Sequence, residues 1–211
     1  MKKIAVIQVR LSSNRLRNKA LFHIYKDYCV LEMLIKNLKK NIKFPIVLAT
    51  SSSKNDKHLS KVAKKFNIKF YSGSLNNVRK RLYLATAGYD IIYRFTADNP
   101  IVINDLYKMI DNEITKYDMI CFKNHIRGTV FQVFKRNKIS NFNKCSPFEK
   151  EHVIDPKKTN NIKIIDLGFK IKIKLSIDTI EDYFNVKEFI NDYQKKYNLF
   201  TLKNLKNYFC K

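Results

Sequence analysis

The sequence predicts an α/β protein with three layers, in which helices cover both faces of a mixed, mostly parallel sheet. Through residues 4–123, short apolar runs alternate with segments whose apolar residues recur at helical spacing. The composition is globular, with 45% hydrophobic residues, and 211 residues suffice for one sizeable core. No Pro-, Gly- or Ser-rich linker divides the chain, so we expect a single domain over residues 1–211.

Strands and helices are expected in turn along residues 1–124. The expected strands are KIAVIQV (3–9), PIVLATS (45–51), IKFYSG (68–73), DIIYRFTAD (90–98) and DMICF (118–122). The expected helices are VLEMLIKNLKKN (30–41), NDKHLSKVAKKFN (55–67), LNNVRKRLYLATAG (75–88) and NDLYKMIDNEITKY (104–117). Asn55 or Asp56 is the expected N-cap of the second helix, and Gly88 is expected to close the third. Because such crossovers are right-handed, the carboxyl ends of the strands line one crevice, where ligands bind.

The pattern changes after residue 124. Strands are expected in GTVFQVFKR (128–136), IKIIDL (162–167) and residues 171–177. A long amphipathic helix is expected in IEDYFNVKEFINDYQKKY (180–197), with Asp178 or Thr179 as its cap. We therefore expect residues 125–211 to complete the sheet that residues 1–124 begin.

The formal net charge is +24, from 42 Lys and Arg against 18 Asp and Glu. Such a balance is typical of proteins that bind nucleic acid or another polyanion. Most of the cations are Lys, however, and Asn and Ile are also abundant, which is what an AT-rich coding sequence produces without selection for binding. The few Arg residues are more informative, since a guanidinium matches phosphate and carboxylate geometry.

Four cysteines (Cys29, Cys121, Cys145 and Cys210) lie far apart without a CxxC pair, so the sequence predicts neither a zinc site nor a disulfide framework. The start, MKKIAVIQVR, lacks the long apolar core of a signal peptide, and no stretch approaches the length of a membrane span. We expect a cytoplasmic protein.

The stretch RLSSNRLRNK (10–19) directly follows the first expected strand. Free backbone N–H groups and side-chain cations on such a turn suit a polyphosphate. The stretch contains neither the glycines nor the GK[ST] ending of a P-loop, nor a GxGxxG pattern. A solvated basic loop is the alternative interpretation.

Two acids follow later expected strands. Asp98 ends the strand in RFTADNP, and a carboxylate there, close to a phosphate-binding loop, suits Mg²⁺. A simple turn residue is the alternative. Asp178, in LSIDTIEDY, precedes the long helix, where an N-cap is the stronger interpretation, although a cap and a metal ligand do not exclude each other.

Two further stretches carry candidate residues. YSGSLNNVRKRL places Gly73 and Ser74 after a strand and Arg81 on the next helix. FEKEHV groups Glu151 and His152, for which a structural role is the simpler interpretation.

In this order, the motifs R-x-x-S-x-R-L-x-x-K-x-L, A-T, G-S-x-x-x-V-x-x-R, R-x-T-x-D-x-P, E-H-V and D-T-x-E-D resemble the cytidylyltransferase family. That family includes the CMP-KDO and CMP-acylneuraminate synthetases, and the likeness is strongest to the branch of spore-coat polysaccharide biosynthesis proteins. It extends from about Ile4 to about Phe189. The resemblance implies a nucleotide-diphospho-sugar transferase fold and a reaction that consumes CTP.

The resemblance also implies roles for individual residues. Arg10, Lys19 and Asp98 are the implied catalytic residues, and Asp98 and Asp178 are the implied Mg²⁺ ligands. The implied nucleotide-binding residues are Arg10, Ser12, Ser13, Arg15, Lys19, Thr50, Gly73, Ser74, Arg81 and Arg94. The implied acceptor-binding residues are Arg127, Gln132, Glu151 and His152. A homodimer is the implied assembly.

The chain departs from the family pattern at several positions. The usual R-L-P-G-K is here Arg15-Leu-Arg-Asn-Lys19, and Asn18 can still adopt the left-handed backbone that the lost Gly accepts. Ser12 replaces another Gly. The usual G-x-D-x-E-V-F lacks both acids, since Val130 and Gln132 stand in their places. A site with fewer carboxylates and many cations favours an anionic acceptor.

The predicted function is therefore Mg²⁺-dependent transfer of CMP from CTP to an anionic sugar, or to a sugar or polyol phosphate, for surface polysaccharide. Two alternatives remain at this point. One is a basic nucleic-acid-binding protein, although no RRM, KH or helix-turn-helix signal accompanies the charge. The other is a homologue that binds nucleotide without turnover.

Overall fold

A seven-stranded sheet forms the centre of the computed structural model, which describes residues 1–13, 15–111 and 113–209. The strands in these ranges are β1 (Lys3–Gln8), β2 (His23–Tyr25), β3 (Tyr28–Cys29), β4 (Ile46–Ser51), β5 (Lys69–Gly73), β6 (Ile91–Thr96), β7 (Met119–Lys123), β8 (Gln132–Lys135) and β9 (Ile162–Asp166). The α-helices are α1 (Val30–Asn41), α2 (Leu59–Lys65), α3 (Val78–Ala85), α4 (Leu106–Ile110), α5 (Pro147–His152), α6 (Ile180–Lys196) and α7 (Leu202–Phe209).

The sheet is mixed and mostly parallel, as expected, with the strand order β5-β4-β1-β6-β8-β7-β9. Strands β5, β4, β1 and β6 are mutually parallel, and β9 is parallel to β7. Strand β8 runs antiparallel to both of its neighbours, β6 and β7. Both halves of the chain contribute to this sheet, while β2 and β3 form a separate ribbon.

Alternate side chains of a strand point to opposite faces of the sheet, and in this structure both faces are covered. In β1, Ala5 and Ile7 join the larger core with α1, α4 and α6, whereas Ile4 and Val6 join a second core with Leu82 of α3. All four of these β1 side chains are fully buried. The three-layer α/β/α prediction is confirmed.

Several local predictions agree closely with the structure. Helix α1 spans the predicted residues 30–41. Thr179 caps α6 by accepting a hydrogen bond from the Asp182 N–H, and the Asp182 carboxylate accepts one in return from the Thr179 N–H. This reciprocal pair is a capping box, and it begins the long helix where the sequence predicts it.

The strand predicted for residues 171–177 is wrong. Within the described part of the chain, this segment makes one isolated bridge, between Lys174 and Arg127. The Leu175 N–H donates to the Arg127 carbonyl at 2.7 Å, but Gly128, with a φ of 92°, has left-handed and not extended backbone. The turn ends the pairing after a single residue.

Other predicted elements are shorter or differently capped. The prediction that Asn55 or Asp56 caps the second helix is wrong, since residues 54–58 form a 3₁₀ turn and Asp56 binds elsewhere. Helix α3 ends at Ala85, three residues before Gly88, and residues 104–117 contain only the short α4 among their described positions.

Cys210 lies outside the described residues. Within the described ranges, every helix is too short or too polar to cross a membrane.

Candidate active site

The basic loop after β1 lies at the carboxyl edge of the sheet and is closed by its own backbone. Asn18 adopts the left-handed region with a φ of 57°, and its N–H donates to the Leu11 carbonyl at 3.0 Å. Leu11 is buried and anchors the loop to the core. Asn is among the residues that tolerate this conformation. The turn therefore forms without the Pro-Gly pair of the family pattern.

Asp56 holds the loop in place, a role that was not predicted. This residue is fully buried, and one carboxylate oxygen accepts the Leu11 N–H at 2.8 Å. The other oxygen accepts the Ser51 hydroxyl and, at 3.3 Å, the Ser51 N–H. Asp56 thus ties the loop to the end of β4. Its sequence signal is weak: a single acid in the Lys-rich stretch SSSKNDKH, just after a strand.

Lys19 lies between two carboxylates that come from opposite halves of the chain. Its Nζ is 2.9 Å from Asp98 Oδ2 and 3.5 Å from Asp178 Oδ1. The ammonium also donates to the Ile177 carbonyl, and its side chain is 11% exposed. The structure therefore brings together the three residues on which the predicted chemistry depends.

The backbone fixes the distance between the two acids. The Ile177 N–H donates to the Asp98 carbonyl at 3.0 Å, so the segment that carries Asp178 is joined to the turn after β6. This contact replaces the strand pairing that was predicted for residues 171–177. Asp98 and Asp178 are consequently placed side by side without belonging to neighbouring strands.

Four cations surround the Asp178 carboxylate. Besides Lys19, Arg15 Nη2 lies at 2.9 Å, Lys174 Nζ at 3.2 Å and Arg127 Nη2 at 3.4 Å. Burial by itself raises the pKa of Asp178, but the hydrogen bond to Lys174 and the charges of Lys19 and Arg15 lower it below the ordinary value. Asp178 is therefore ionised at neutral pH, and the group as a whole is strongly cationic.

A first cavity of about 230 Å³ lies under the basic loop. The predicted site residues that line it are Arg10, Ser13, Arg15, Lys19, Arg94, Asp98, Glu151 and His152. Glu151 and His152 reach it from α5, which is begun by a capping box between Ser146 and Glu149. The structure thus places these two predicted acceptor residues among the predicted nucleotide residues. Ser12 is exposed in the same loop.

Arg94 lies at the back of this cavity and is held by amides. The Gln8 carbonyl oxygen Oε1 accepts from its Nε at 2.9 Å and from its Nη2 at 2.8 Å. The side-chain oxygen of Gln132 accepts from its Nη1. Burial lowers the pKa of Arg94 to about 10; the Asp98 charge opposes this effect, and the Arg81 charge adds to it.

The remaining predicted nucleotide residues lie toward β4 and β5, outside the lining of the first cavity. Thr50 is fully buried in β4 beside Ser72 of β5. Arg81 is also fully buried, and its Nη1 donates to the Ser74 carbonyl at 2.7 Å, which holds the turn that follows Gly73. Burial and, to a smaller extent, the charge of nearby Arg10 lower the pKa of Arg81 to about 10.

The four predicted acceptor residues do not form one group. Arg127 contacts Asp178, and its side chain is 67% exposed. Gln132 lines a second cavity, of about 280 Å³, which adjoins the first at Arg94 and Thr96. His125 also lines this second cavity and was not predicted.

The donor set fits a hard divalent cation. Carboxylate oxygens of Asp98 and Asp178 both contact the Lys19 ammonium, so the two acids lie close enough to share one cation. Mg²⁺ is commonly bound by one or two carboxylates together with substrate phosphates and water. Clusters of three or more His, Cys, Asp or Glu are absent from the described residues, so substrate and water would supply the remaining ligands.

The chain is similar to known proteins over most of its length. The sequence profile of the cytidylyltransferases matches residues 4–209. An uncharacterized protein of Methanocaldococcus jannaschii is 31% identical over 201 residues, which cover 87% of this chain and 81% of the relative.

Two solved structures share the fold. A cytidylyltransferase from Leptospira borgpetersenii superposes with a TM-score of 0.78 at 22% identity, over 92% of this chain and 96% of that one. A CMP:2-keto-3-deoxy-manno-octonic acid synthetase, solved with CTP, superposes with a TM-score of 0.67 at 11% identity, over 91% and 99% of the two chains.

These likenesses confirm the α/β fold of the nucleotidyltransferases, and the profile match extends over almost the whole sequence. This chain therefore belongs to the cytidylyltransferase family of nucleotidyltransferases.

Proposed function

We propose that this protein transfers CMP from CTP to an anionic acceptor, with Mg²⁺, and releases pyrophosphate. The acceptor would be a sugar acid, or a sugar or polyol phosphate. The product would be an activated building block for surface polysaccharide, made in the cytoplasm. The observation that carries this proposal is the meeting of Lys19, Asp98 and Asp178 beside the basic loop.

The chemistry needs positioning and charge more than a protein nucleophile. An acceptor oxygen attacks the α-phosphorus of CTP, the bond from this phosphorus to the bridging oxygen breaks, and pyrophosphate leaves with the electron pair. A hydroxyl acceptor gives its proton to water, whereas a phosphate acceptor attacks as the anion. Arg10, Arg15 and Lys19 would neutralise the charge on the departing pyrophosphate.

Asp98 and Asp178 would hold the metal, which when bound offsets charge on the phosphate oxygens. Lys19 holds the two carboxylates adjacent when no metal is bound, since its ammonium contacts each of them. The other residues proposed to bind the nucleotide are Ser12, Ser13, Thr50, Gly73, Ser74, Arg81 and Arg94.

An anionic acceptor is supported by the charges near Asp178. Arg15 and Arg127 both contact this carboxylate, yet each side chain is 67% exposed and is accessible to a ligand. We propose that residues 1–124 bind the nucleotide and residues 125–211 bind the acceptor, in a homodimer. Arg127, Gln132, Glu151 and His152 would contact the acceptor.

The test is pyrophosphate release by the purified protein with each NTP, Mg²⁺ and a panel of sugar acids and sugar or polyol phosphates. We expect release with CTP and at least one anionic acceptor. Asp98→Ala should lower kcat/KM by about 10²–10³-fold, because one of two metal carboxylates is lost. CTP-dependent release that survives Asp98→Ala would disprove the metal assignment.

A second candidate function is nucleotide binding without turnover, which is favoured by Val130 and Gln132 in place of the two acids of the family pattern. Tight CTP binding, measured by calorimetry, with no release from any acceptor would support that function instead. Binding of duplex or single-stranded nucleic acid that weakens steeply with salt, without CTP binding, would support neither.

A further inference from the structure

Arg94 belongs to the lining of both cavities of the site. Arg94 and Thr96 line both of them. The first cavity is also lined by side chains of the basic loop and by Asp98. The described residues that line the second include no Asp, Glu or Lys: they are Arg94, Thr96, Asn99, Cys121, Phe122, His125, Val130, Phe131 and Gln132. Arg94 is therefore the charged group of the second cavity.

The hydrogen-bond partners of the Arg94 guanidinium are neutral, and the Asp98 charge acts on it without a hydrogen bond. Its hydrogen bonds among the described residues go to the side-chain amides of Gln8 and Gln132. A guanidinium has five N–H donors, and these bonds use three of them. A partly buried cation with no carboxylate in hydrogen-bond contact is unfavourable, and a bound anion relieves it.

The side-chain amide of Gln132 also has donors that Arg94 does not use. Its Oε1 accepts from Arg94 Nη1, so its amino group is turned away from the guanidinium. Gln132 lines the second cavity, where this amino group and the free donors of Arg94 are suited to one anionic group. A Glu at this position would pair with Arg94 and bring a second negative charge to the ligand.

We propose that the second cavity binds the anionic group of the acceptor, a carboxylate or a phosphate, and that Gln132 selects for this charge because its neutral amide keeps a carboxylate out of this cavity. This inference rests on the proposed function, since it concerns the acceptor of that reaction. It makes Gln132 a residue that determines specificity, while the basic loop binds the triphosphate in the first cavity.

The chain offers a matched pair of variants. Gln132→Glu and Gln8→Glu each place a carboxylate against the same guanidinium. Gln8 lines the first cavity, whereas Gln132 lines the second. Neutralising Arg94 therefore weakens ligand binding alike in both variants. Any additional loss in Gln132→Glu is caused by the carboxylate that this variant places in the second cavity.

The measurement is the KM for CTP and for each acceptor, using sugar acids, sugar or polyol phosphates, and their uncharged counterparts. Gln132→Glu should raise the KM of the anionic acceptor at least tenfold and change the KM of CTP less than threefold. Gln8→Glu should raise the KM of CTP more than that of the acceptor. The acceptor class with the lower KM in the wild-type protein identifies the anionic group as carboxylate or phosphate.

Inorganic phosphate provides a readout that does not depend on turnover. Titrated into the CTP-saturated protein, it should bind less than threefold more weakly to Gln8→Glu than to the wild type, and at least tenfold more weakly to Gln132→Glu than to Gln8→Glu. Gln132→Ala, which removes the amide but leaves Arg94 charged, should weaken phosphate binding about threefold and keeps the test valid if the Glu variant fails to fold.

Two outcomes separate the inference from the proposed function. Equal loss of phosphate or acceptor binding in Gln8→Glu and Gln132→Glu would overturn the inference and leave the cytidylyl transfer intact. A wild-type protein that neither binds CTP nor releases pyrophosphate would overturn both.

Discussion

At the residue scale, the site depends on side chains that each hold several partners. Lys19 contacts Asp98, Asp178 and the Ile177 carbonyl, and Asp56 binds the backbone of Leu11 as well as Ser51. Such a residue matters to the site mainly because it fixes the relative positions of the groups that it joins. Asp56 shows this clearly, because it lines neither cavity and yet fixes the start of the basic loop.

Asp56→Asn should raise the KM for CTP about tenfold, with a smaller change in kcat. The new amide has one acceptor oxygen, so its NH₂ group faces either the Leu11 N–H or the Ser51 donors, and the loop shifts. Thermal unfolding should show a loss of about 1–3 kcal/mol. The measurement is steady-state pyrophosphate release together with calorimetry.

Ser51→Ala is the matched control for Asp56→Asn, because it removes the hydroxyl donor and keeps the bond to Leu11. Its KM should stay within about twofold of the wild-type value. If Asp56→Asn lowers stability but leaves the KM for CTP unchanged, Asp56 is a folding residue and does not position the loop.

At the element scale, the contact between the Arg127–Gly128 turn and the segment 173–178 places Asp178. The Arg127 N–H donates to the Ile173 carbonyl at 3.2 Å, and Gly128 lies directly against the backbone of Leu175 and Ser176. A Cβ on Gly128 would be 2.5 Å from the Ser176 N, closer than real Cβ contacts. This close approach takes the place of the strand that was predicted here.

Gly128→Ala should displace this segment and with it Asp178, two residues further on. We expect kcat/KM to fall at least tenfold, and the stabilisation of the protein by Mg²⁺ with CTP to decrease. Gly88→Ala is the control, since Gly88 has a φ of 82° but nothing lies within 4 Å of its added Cβ. The control should lose only about 1–2 kcal/mol for the left-handed backbone and keep its activity. Equal losses of activity would contradict the assigned role.

At the scale of the whole molecule, a few acids join the two halves of a chain that carries a net charge of +24. Asp178 binds cations from both halves, including Arg15 and Lys174. Although burial opposes it, hydrogen bonds from Lys174 and from the N–H groups of Asp178 and Thr179 lower the pKa of Asp182 to about 2. Because acids are scarce, protonating them removes much of the attraction that offsets the cations.

The free energy of unfolding should therefore fall as the pH drops from about 4 toward 2. Both carboxyl pKa values are lower in the folded protein than the ordinary 3.8, so the unfolded chain binds more protons in this range. Asp182→Asn should reduce the loss of unfolding free energy over this pH range by about 1 kcal/mol, after allowance for solvent screening. Urea unfolding between pH 2 and 6 measures the slope. If the slope is unchanged in Asp182→Asn, protonation of Asp182 does not cause the loss of stability.

Much of the fold was predictable because its signals are local. Apolar runs and helical spacing located the seven sheet strands and the two longest helices, and the Thr179–Asp182 pair marked where α6 begins. The left-handed backbone of Asn18 was recognised from the sequence as accessible, since Asn is one of the few residue types that accept it. The predicted strand at residues 171–177 failed because its apolar pattern is real, but the turn at Gly128 leaves it no partner to pair with.

The sequence by itself determined the α/β alternation, the cationic loop and the acids at the ends of elements, because periodicity, capping and charge act between near neighbours. The tertiary structure alone decided which of these side chains meet. Leu11 and Asp56 are 45 residues apart, and Lys19 and Asp178 are 159 apart. Contacts over such separations depend on how the sheet and its crossovers pack, and no local pattern encodes that packing.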